Sequence, residues 1–578
     1  MRRLLKYLKG YVKESVLAPL FKCFEACLEL FVPLVVTKII DIGIPSGDKP
    51  YIYKMGFLLL ALGIAGLISS VTAQYFAAKA AIGFGTGVRN DLFRHINSFT
   101  FTEIDSAGVS TLITRLTNDV NQVQTGVNMV LRLFLRSPFI VFGAMIMAFT
   151  IDVKTALIFV AAIPLLFAVV FGIMFLSVPI YKKVQSSLDK ITGITRENLS
   201  GVRVIRAFNR QGKEIEDFNE STGELTRLQL FVGRISSLLN PVTYVILNLA
   251  VAAIIWIGGG KVYSGALTQG LVVALVNYMM QILVELIKLS NLVVTINKSL
   301  ACANRISAVF DQKPSLVYPE KDSAEKDGDI AVRFNNVSFS YKNAKEPSVV
   351  NISFEIKKGQ RVGIIGPTGS GKTTLINLIP RLYDCTEGSV ELMGKDVKAY
   401  TRESLLKKVS VVAQNTVLFK GTLRDNLRRG REDATDEEMM KALELAQGLD
   451  IVKAKGQGLD FEIEQGGKNL SGGQRQRISI ARSLVKKSDV YIFDDSMSAL
   501  DFATDARLRK AINGSLDCSA VIIVSQRVSS VKNSDLIIVM DDGHAVGTGT
   551  HEQLINECEV YKEICLSQLS DGEGNANG

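Results

Sequence analysis

Two clusters of residues in the second half of the sequence have the types and spacing to handle a phosphorylated ligand. In GPTGSGKTT, Gly366 to Thr374, the first eight residues match G-x-x-x-x-G-K-[ST] directly after the β-branched run VGII. Glycines let successive backbone N–H groups wrap phosphates, Lys372 can reach the β and γ phosphates, and the Thr373 hydroxyl can hold Mg2+. The helical pattern that follows adds positive potential at its N-terminus. Further on, the apolar run VYIF ends in two acids, Asp494 and Asp495. A carboxylate at the end of such a strand can hold the phosphate-bound metal, and a neighbouring one can orient an attacking water. Together the two clusters predict a nucleoside triphosphate site. Between them, NLSGGQRQR (Asn469 to Arg477) offers a second backbone cradle at Ser471, Gly472, Gly473 and Gln474, ahead of a helix with apolar and basic periodicity.

These residues need a framework, and composition divides it in two. The chain has 578 residues, too many for one core, and 47% of them are hydrophobic. Mean hydropathy is +0.23, high for a soluble protein, because long uncharged runs crowd the first half. Residues beyond about 320 read instead as a water-soluble α/β sequence. Seven scattered cysteines without a CxxC pair argue against a disulfide framework or a zinc site. The net charge of +9 comes without a basic patch interleaved with aromatics, so nucleic acid is excluded as a partner and the charge is assigned to cytoplasmic flanks of membrane segments.

Six stretches reach the ~20 mostly apolar residues that a bilayer-spanning helix needs: 16–41, 55–81, 129–150, 155–178, 239–260 and 270–297. The first is too long, and lacks the cleavage site, for a removed signal peptide. Five Lys/Arg in MRRLLKYLKGYVK, and Arg89, Arg94 and Arg115 after the second span, place these segments in the cytoplasm. An even number of spans then keeps both termini inside. Residues 82–128 and 179–238 carry helical spacing with almost no proline, so the spans are expected to continue as helices into the cytoplasm. GVRVIRAFNRQGKE (201–214) is a candidate contact for a soluble motor, against the alternative of a solvated face. Lys22, Glu25 and Glu29 share one face of the first span, and Gln281, Glu285 and Lys288 one face of the sixth. Ionisable groups are costly in a bilayer unless they face water or each other, so both trios are candidates for a cavity lining, with helix-to-helix pairing the other reading.

On its phosphate and signature motifs the sequence resembles the ATP-binding-cassette transporter family, specifically exporter half-transporters that fuse six spans to one cassette. The resemblance implies an all-α six-helix transmembrane domain with long cytoplasmic extensions over 1–312, a linker over 313–329 and an α/β P-loop cassette over 330–569, and the acidic, small-residue stretch 570–578 reads as a disordered tail. It implies ATP and Mg2+ as ligands. Gly366, Pro367, Thr368, Gly369, Ser370, Gly371, Lys372, Thr373 and Thr374 would form the phosphate loop, Tyr341 in VSFSYKN would stack on adenine, and Thr373, Gln414 and Asp494 would hold the metal. Gln414, in VVAQNTVLF, would also sit among the catalytic groups. Two cassettes close head to tail in this family, so Ser471 to Gln474 would serve ATP on a second chain, and Asp501 in SALD would communicate across the dimer.

Two positions depart from the family pattern. Asp495 stands where the family has a glutamate that polarises water, and Gln526 in VIIVSQRVSSV stands where it has a histidine. The shorter carboxylate withdraws the base, and misplacement can forfeit most of the ~10²–10⁴-fold that general-base catalysis supplies. A weak site beside an intact signature resembles the degenerate-site subunit of bacterial heterodimeric multidrug exporters. The implied setting is the cell membrane, with small amphipathic cargo and a second half-transporter that carries the catalytic Glu and His. A homodimeric lipid or peptide exporter with slow ATPase, and an ATP-gated regulatory membrane protein, remain open alternatives.

Overall fold

The computed structural model describes residues 3–322, 328–342, 344–516 and 518–574. The chain divides into two compact units, Met1–Asn97 with Ser110–Gln312, and Ser98–Val109 with Lys313–Gly578.

The first unit is all helix. Lys49–Asn97 runs for 49 residues and Val153–Ser200 for 48, each about 70 Å at 1.5 Å per residue. That is more than twice the ~30 Å of a bilayer core, so both continue well beyond any membrane. Among the described residues, five helical stretches are long and apolar enough to cross one: Lys49–Asn97, Val109–Ile151, Val153–Ser200, Gln211–Tyr263 and Gln269–Asp311. Val12–Lys38, the helix over the first expected span, misses that mark because Lys22, Glu25 and Glu29 interrupt its apolar run. It ends in a π-helical turn, Ile39–Gly43. Helix Val12–Lys38 packs on Lys49–Asn97. Along the latter, Ala73, Ala77, Ala80 and Ala81 are buried at helical spacing, a small-residue face of the kind that lets backbones approach closely.

The second unit contains two main sheets. One is six-stranded, in the order His544–Gly549, Leu536–Asp541, Arg361–Ile365, Ala520–Val524, Val490–Asp494, Val409–Val412. All its neighbours are parallel except the first pair. Ala520–Val524 and Val490–Asp494 are buried at every residue, which is why they read as unbroken apolar runs rather than alternating ones. The other sheet is antiparallel and contains Val349–Lys357, Ile330–Phe339, Glu387–Leu392 and Lys395–Asp396. Ligands of such open α/β sheets bind beyond the carboxyl ends of the parallel strands; the phosphate loop and Asp495 follow those ends, and Asp494 is the last residue of its strand.

Two boundaries differ from the sequence expectation. Residues 98–109, expected within the membrane domain, group with the cassette. They hold the short helix Phe101–Ala107, closed by a reciprocal Thr100–Glu103 capping box and stopped by Gly108 at φ 75. Tyr383 donates a hydrogen bond to Asp105 at 2.8 Å. The linker over 313–329 is packed at its start, where Arg381 lies over the Tyr318 ring and Asp322 accepts from the Thr401 N–H at 2.8 Å; residues 323–327 lie outside the described residues. The last helix, Glu559–Gly574, reaches into the expected disordered tail, whose residues 575–578 are also outside them.

Candidate functional site

The phosphate loop closes on itself through Lys372. The residue is 9% exposed, and its ammonium donates to the carbonyls of Gly366 and Pro367 at 2.9 and 2.6 Å and to the Ser370 hydroxyl at 3.3 Å. Gly371 has φ +90, and a Cβ there would lie 2.4 Å from the Ser348 carbonyl, so only glycine fits immediately before the helix Lys372–Asn377. A pocket of about 440 Å³ opens above this turn. Thr368, Gly369, Gly371, Lys372, Thr373 and Thr374 line it together with Gln414, Asp494, Asp495 and Gln526. Residues up to 158 positions apart in the sequence thus meet in one cavity, because strands Val490–Asp494 and Ala520–Val524 are adjacent in register, Asp494 beside Val524.

The electrostatics favour a ligand that brings both anionic oxygens and a cation. Burial pulls the Lys372 ammonium below its ordinary pKa, against the pull of Asp495 and Asp494. Burial likewise raises the Asp494 carboxyl, and Asp495 adds to this while the Thr373 hydrogen bond opposes it. Thr373 Oγ1 donates to Asp494 Oδ1 at 3.1 Å. A buried carboxylate raised by desolvation, with a hydroxyl oxygen beside it, is a donor set suited to a hard, oxygen-seeking cation such as Mg2+. Asp495 is half-buried, with its carboxyl raised by burial, and receives a long 3.4 Å contact from Gln414 Nε2. Gln526 is exposed at the pocket wall.

Other expected site residues lie apart from this pocket. Tyr341 is not in its lining; its hydroxyl shares a 3.1 Å hydrogen bond with Thr374, and its ring packs edge-on against Phe339 and Tyr383, at 4.9 and 5.3 Å. Ser471 caps helix Gly472–Val485 in a reciprocal box with Gln474, and none of Ser471 to Gln474 lines the pocket. The N-terminus of that helix is thus capped by its own side chains and lies apart from the pocket lining. Asp501 caps helix Phe502–Asn513 by accepting from Thr504 N–H at 2.9 Å. Segment 201–214 forms helix Val202–Ala207 and the start of Gln211–Ser237, with Val204 and Phe208 exposed.

The intramembrane charges are bound to each other. Arg136, 6% exposed, is the hub: it donates to Glu285 at 2.6 Å and Glu29 at 2.7 Å, and lies 3.9 Å from Glu25. Lys288 and Ser137 each reach Glu285 at 2.8 Å, and Lys22 holds Glu25 at 2.6 Å and Ser70 at 3.0 Å. Helix-to-helix pairing through Arg136 therefore accounts for Glu285 and Glu29, and Glu25 is held chiefly by Lys22 on its own helix, while Glu29 and Lys288 keep 41% and 43% of their side-chain surface. The Gln281 side-chain carbonyl oxygen is buried with no hydrogen-bond partner among the described residues. Arg136 was not among the expected residues. Its signal was charge balance: Lys22 and Lys288 leave three span glutamates one cation short, and Arg136 lies inside the expected span 129–150.

Comparison with known proteins agrees with both units. The family model described as ABC transporter transmembrane region matches residues 16–286, and the one described as ABC transporter matches 349–498. An uncharacterized ABC transporter ATP-binding protein of Mycobacterium tuberculosis is 34% identical over 569 residues, covering 97% of each chain. An ATP-dependent lipid A-core flippase of Desulfotalea psychrophila is 33% identical over 469 residues, covering 81% of each. The solved structure of a bacterial Atm1-family ABC exporter with ATP bound superposes with a TM-score of 0.80 at 23% identity, over 96% of this chain and 99% of that one. The chain belongs to the ABC transporter family, with a helical transmembrane region followed by an ATP-binding cassette in the exporter fold.

Proposed function

We propose that the chain is one half of an ATP-driven exporter whose own nucleotide pocket turns over slowly and whose signature helix completes the site on a second chain. The observation that carries the slow-site reading is the geometry of Asp495. Its N–H donates to Val524 O at 2.9 Å, and its carbonyl accepts from Ser498 Oγ at 2.8 Å. These two bonds tie down the backbone at both ends of the residue, which supports a carboxylate held one methylene short. Its φ of +43 is a conformation that Asp tolerates better than most residues. Gln526 lines the same pocket, and no histidine is among the described residues of that lining.

When bound, Mg2+ would neutralise charge on the phosphate oxygens, held by Thr373 and Asp494 with Gln414 nearby. Lys372 would exchange its carbonyl partners for phosphate oxygens, and Tyr341 would pack on the base. The separation of Ser471 to Gln474 from the pocket within one chain supports a head-to-tail dimer. Exposed Val204 and Phe208 are then the surface offered to the second chain's cassette. Basic flanks support a cell-membrane setting with both termini and the cassette in the cytoplasm. A span face whose charges are mutually paired suits an amphipathic cargo, and a multidrug exporter is the reading preferred here. The similarity to a lipid A-core flippase favours a second reading, a homodimeric lipid exporter with slow ATPase.

ATPase assays decide between them. In the heterodimer, Asp495→Asn leaves turnover within about twofold while loss of the second chain's catalytic glutamate nearly abolishes it. Equal losses, or purification of identical chains only, would favour the homodimer.

A further inference from the structure

We infer that Gln568, on the last helix, is a positioning residue that sets the loop carrying Gln526 against the terminal phosphate. The side chain spans that loop: Nε2 donates to the Gln526 carbonyl at 2.7 Å, and Oε1 accepts from the Val528 N–H at 2.8 Å. One amide group therefore grips the backbone on both sides of Arg527. A primary amide is the side-chain group that supplies a donor and an acceptor together at this reach.

The grip is anchored from behind. Tyr561 and Cys565, 0% and 5% exposed, lie in the cassette core, and Gln568 follows them at i, i+4 and i+7 on one face of helix Glu559–Gly574. What the loop carries explains the consequence. Gln526 lines the phosphate pocket, and Arg527 donates to the Ser498 carbonyl at 3.2 Å, in the turn that follows Asp495. Ser525 Oγ accepts from the Arg527 N–H at 3.0 Å, which closes the turn from inside. The last helix thus fixes the pocket wall that faces the γ-phosphate, from a sequence distance of 42 residues. This role rests on the pocket being the nucleotide site.

The test compares Gln568→Ala, Gln568→Glu and the control Leu566→Ala in the full-length transporter as it assembles. Leu566 is exposed on the same helix, which makes it a control for changes to the helix itself. Two readouts need no turnover: hydrogen exchange over residues 525–531, and displacement of a fluorescent nucleotide by MgATP and by MgADP. Gln568→Ala is expected to speed exchange of the Val528 amide about tenfold and to weaken ATP by about three- to tenfold with ADP unchanged. ADP lacks the phosphate that the loop faces, so it reports general damage. Gln568→Glu keeps the Val528 acceptor but loses the donor, so its exchange stays slow while its preference for ATP falls. Should Gln568→Ala loosen the whole helix, the glutamate variant carries the test. An unchanged ATP-to-ADP ratio in both variants, or equal effects from Leu566→Ala, overturns the proposal. Fast hydrolysis at this pocket would overturn the slow-site reading and leave the clamp standing.

Discussion

Two buried cations in this chain are treated in opposite ways. Arg136, in the membrane unit, is met by the carboxylates of Glu285 and Glu29, and the six ionisable groups of its network balance in charge. Lys372, in the cassette, is nearly as buried, yet its hydrogen bonds go to two carbonyls and a hydroxyl. A desolvated cation held only by neutral groups gains when an anion arrives, whereas one already neutralised gains little. The first arrangement is a scaffold and the second a binding site. Burial alone does not tell them apart; the charge on the partner does.

The comparison breaks most visibly when each cation is removed. Arg136→Met would leave the buried Glu285 without its buried cation and Glu29 without its partner, and loss of one member of a buried pair costs about 3–5 kcal/mol. Thermal unfolding of the purified transporter should fall sharply, and adding Glu285→Gln should restore part of the loss. If the single and double variants unfold alike, the network is not the hub described. Lys372→Ala should change the unfolding temperature of the ligand-free protein far less, because the loss of its attraction to Asp494 and Asp495 is offset by removal of its desolvation. It should remove ATP binding.

A smaller effect, with the opposite sign, sharpens the pocket side. If Asp495 and Gln526 are what slow this site, then Asp495→Glu with Gln526→His should raise ATP turnover about tenfold or more, within the range that general-base catalysis supplies. The left-handed backbone at 495 accepts glutamate less readily than aspartate, which caps the gain. No increase in a chain that still binds MgATP would place the slow step elsewhere.

The two regions also differ in how far the sequence disclosed them. The phosphate loop is built by consecutive residues whose backbone does the binding, so GPTGSGKTT stated its own geometry. Asp494, Asp495 and Gln526 could be placed because each ends or follows a buried strand that reads as an apolar run. Arg136 and Glu285 are 149 residues apart and meet only because two helices pack, and no local pattern encodes that pairing. The Gln568 clamp is hidden for the same reason, across 42 residues of unrelated elements. Residues 98–109 are an intermediate case. Their helical pattern merged with its neighbours, but the capping box at Thr100 and Glu103 and the Gly108 stop were legible as the ends of a separate short helix.

That short helix supplies the mildest test, on the cassette side of the comparison. Tyr383 touches both Tyr341, whose hydroxyl reaches Thr374 beside the pocket, and Asp105 on helix Phe101–Ala107. Tyr383→Phe keeps the ring packing and removes one hydrogen bond, a change of about 1 kcal/mol. Nucleotide affinity should stay within about twofold, since the ring beside Tyr341 is retained. Hydrogen exchange over 98–109 should rise by about fivefold, because one of the contacts holding that segment to the cassette is lost. Asp105→Asn should behave more gently still, as its amide oxygen can accept the same hydroxyl. A large loss of ATP affinity in Tyr383→Phe would mean that this hydroxyl acts on the pocket itself, and the line drawn between scaffold and binding site would have to move to include the short helix.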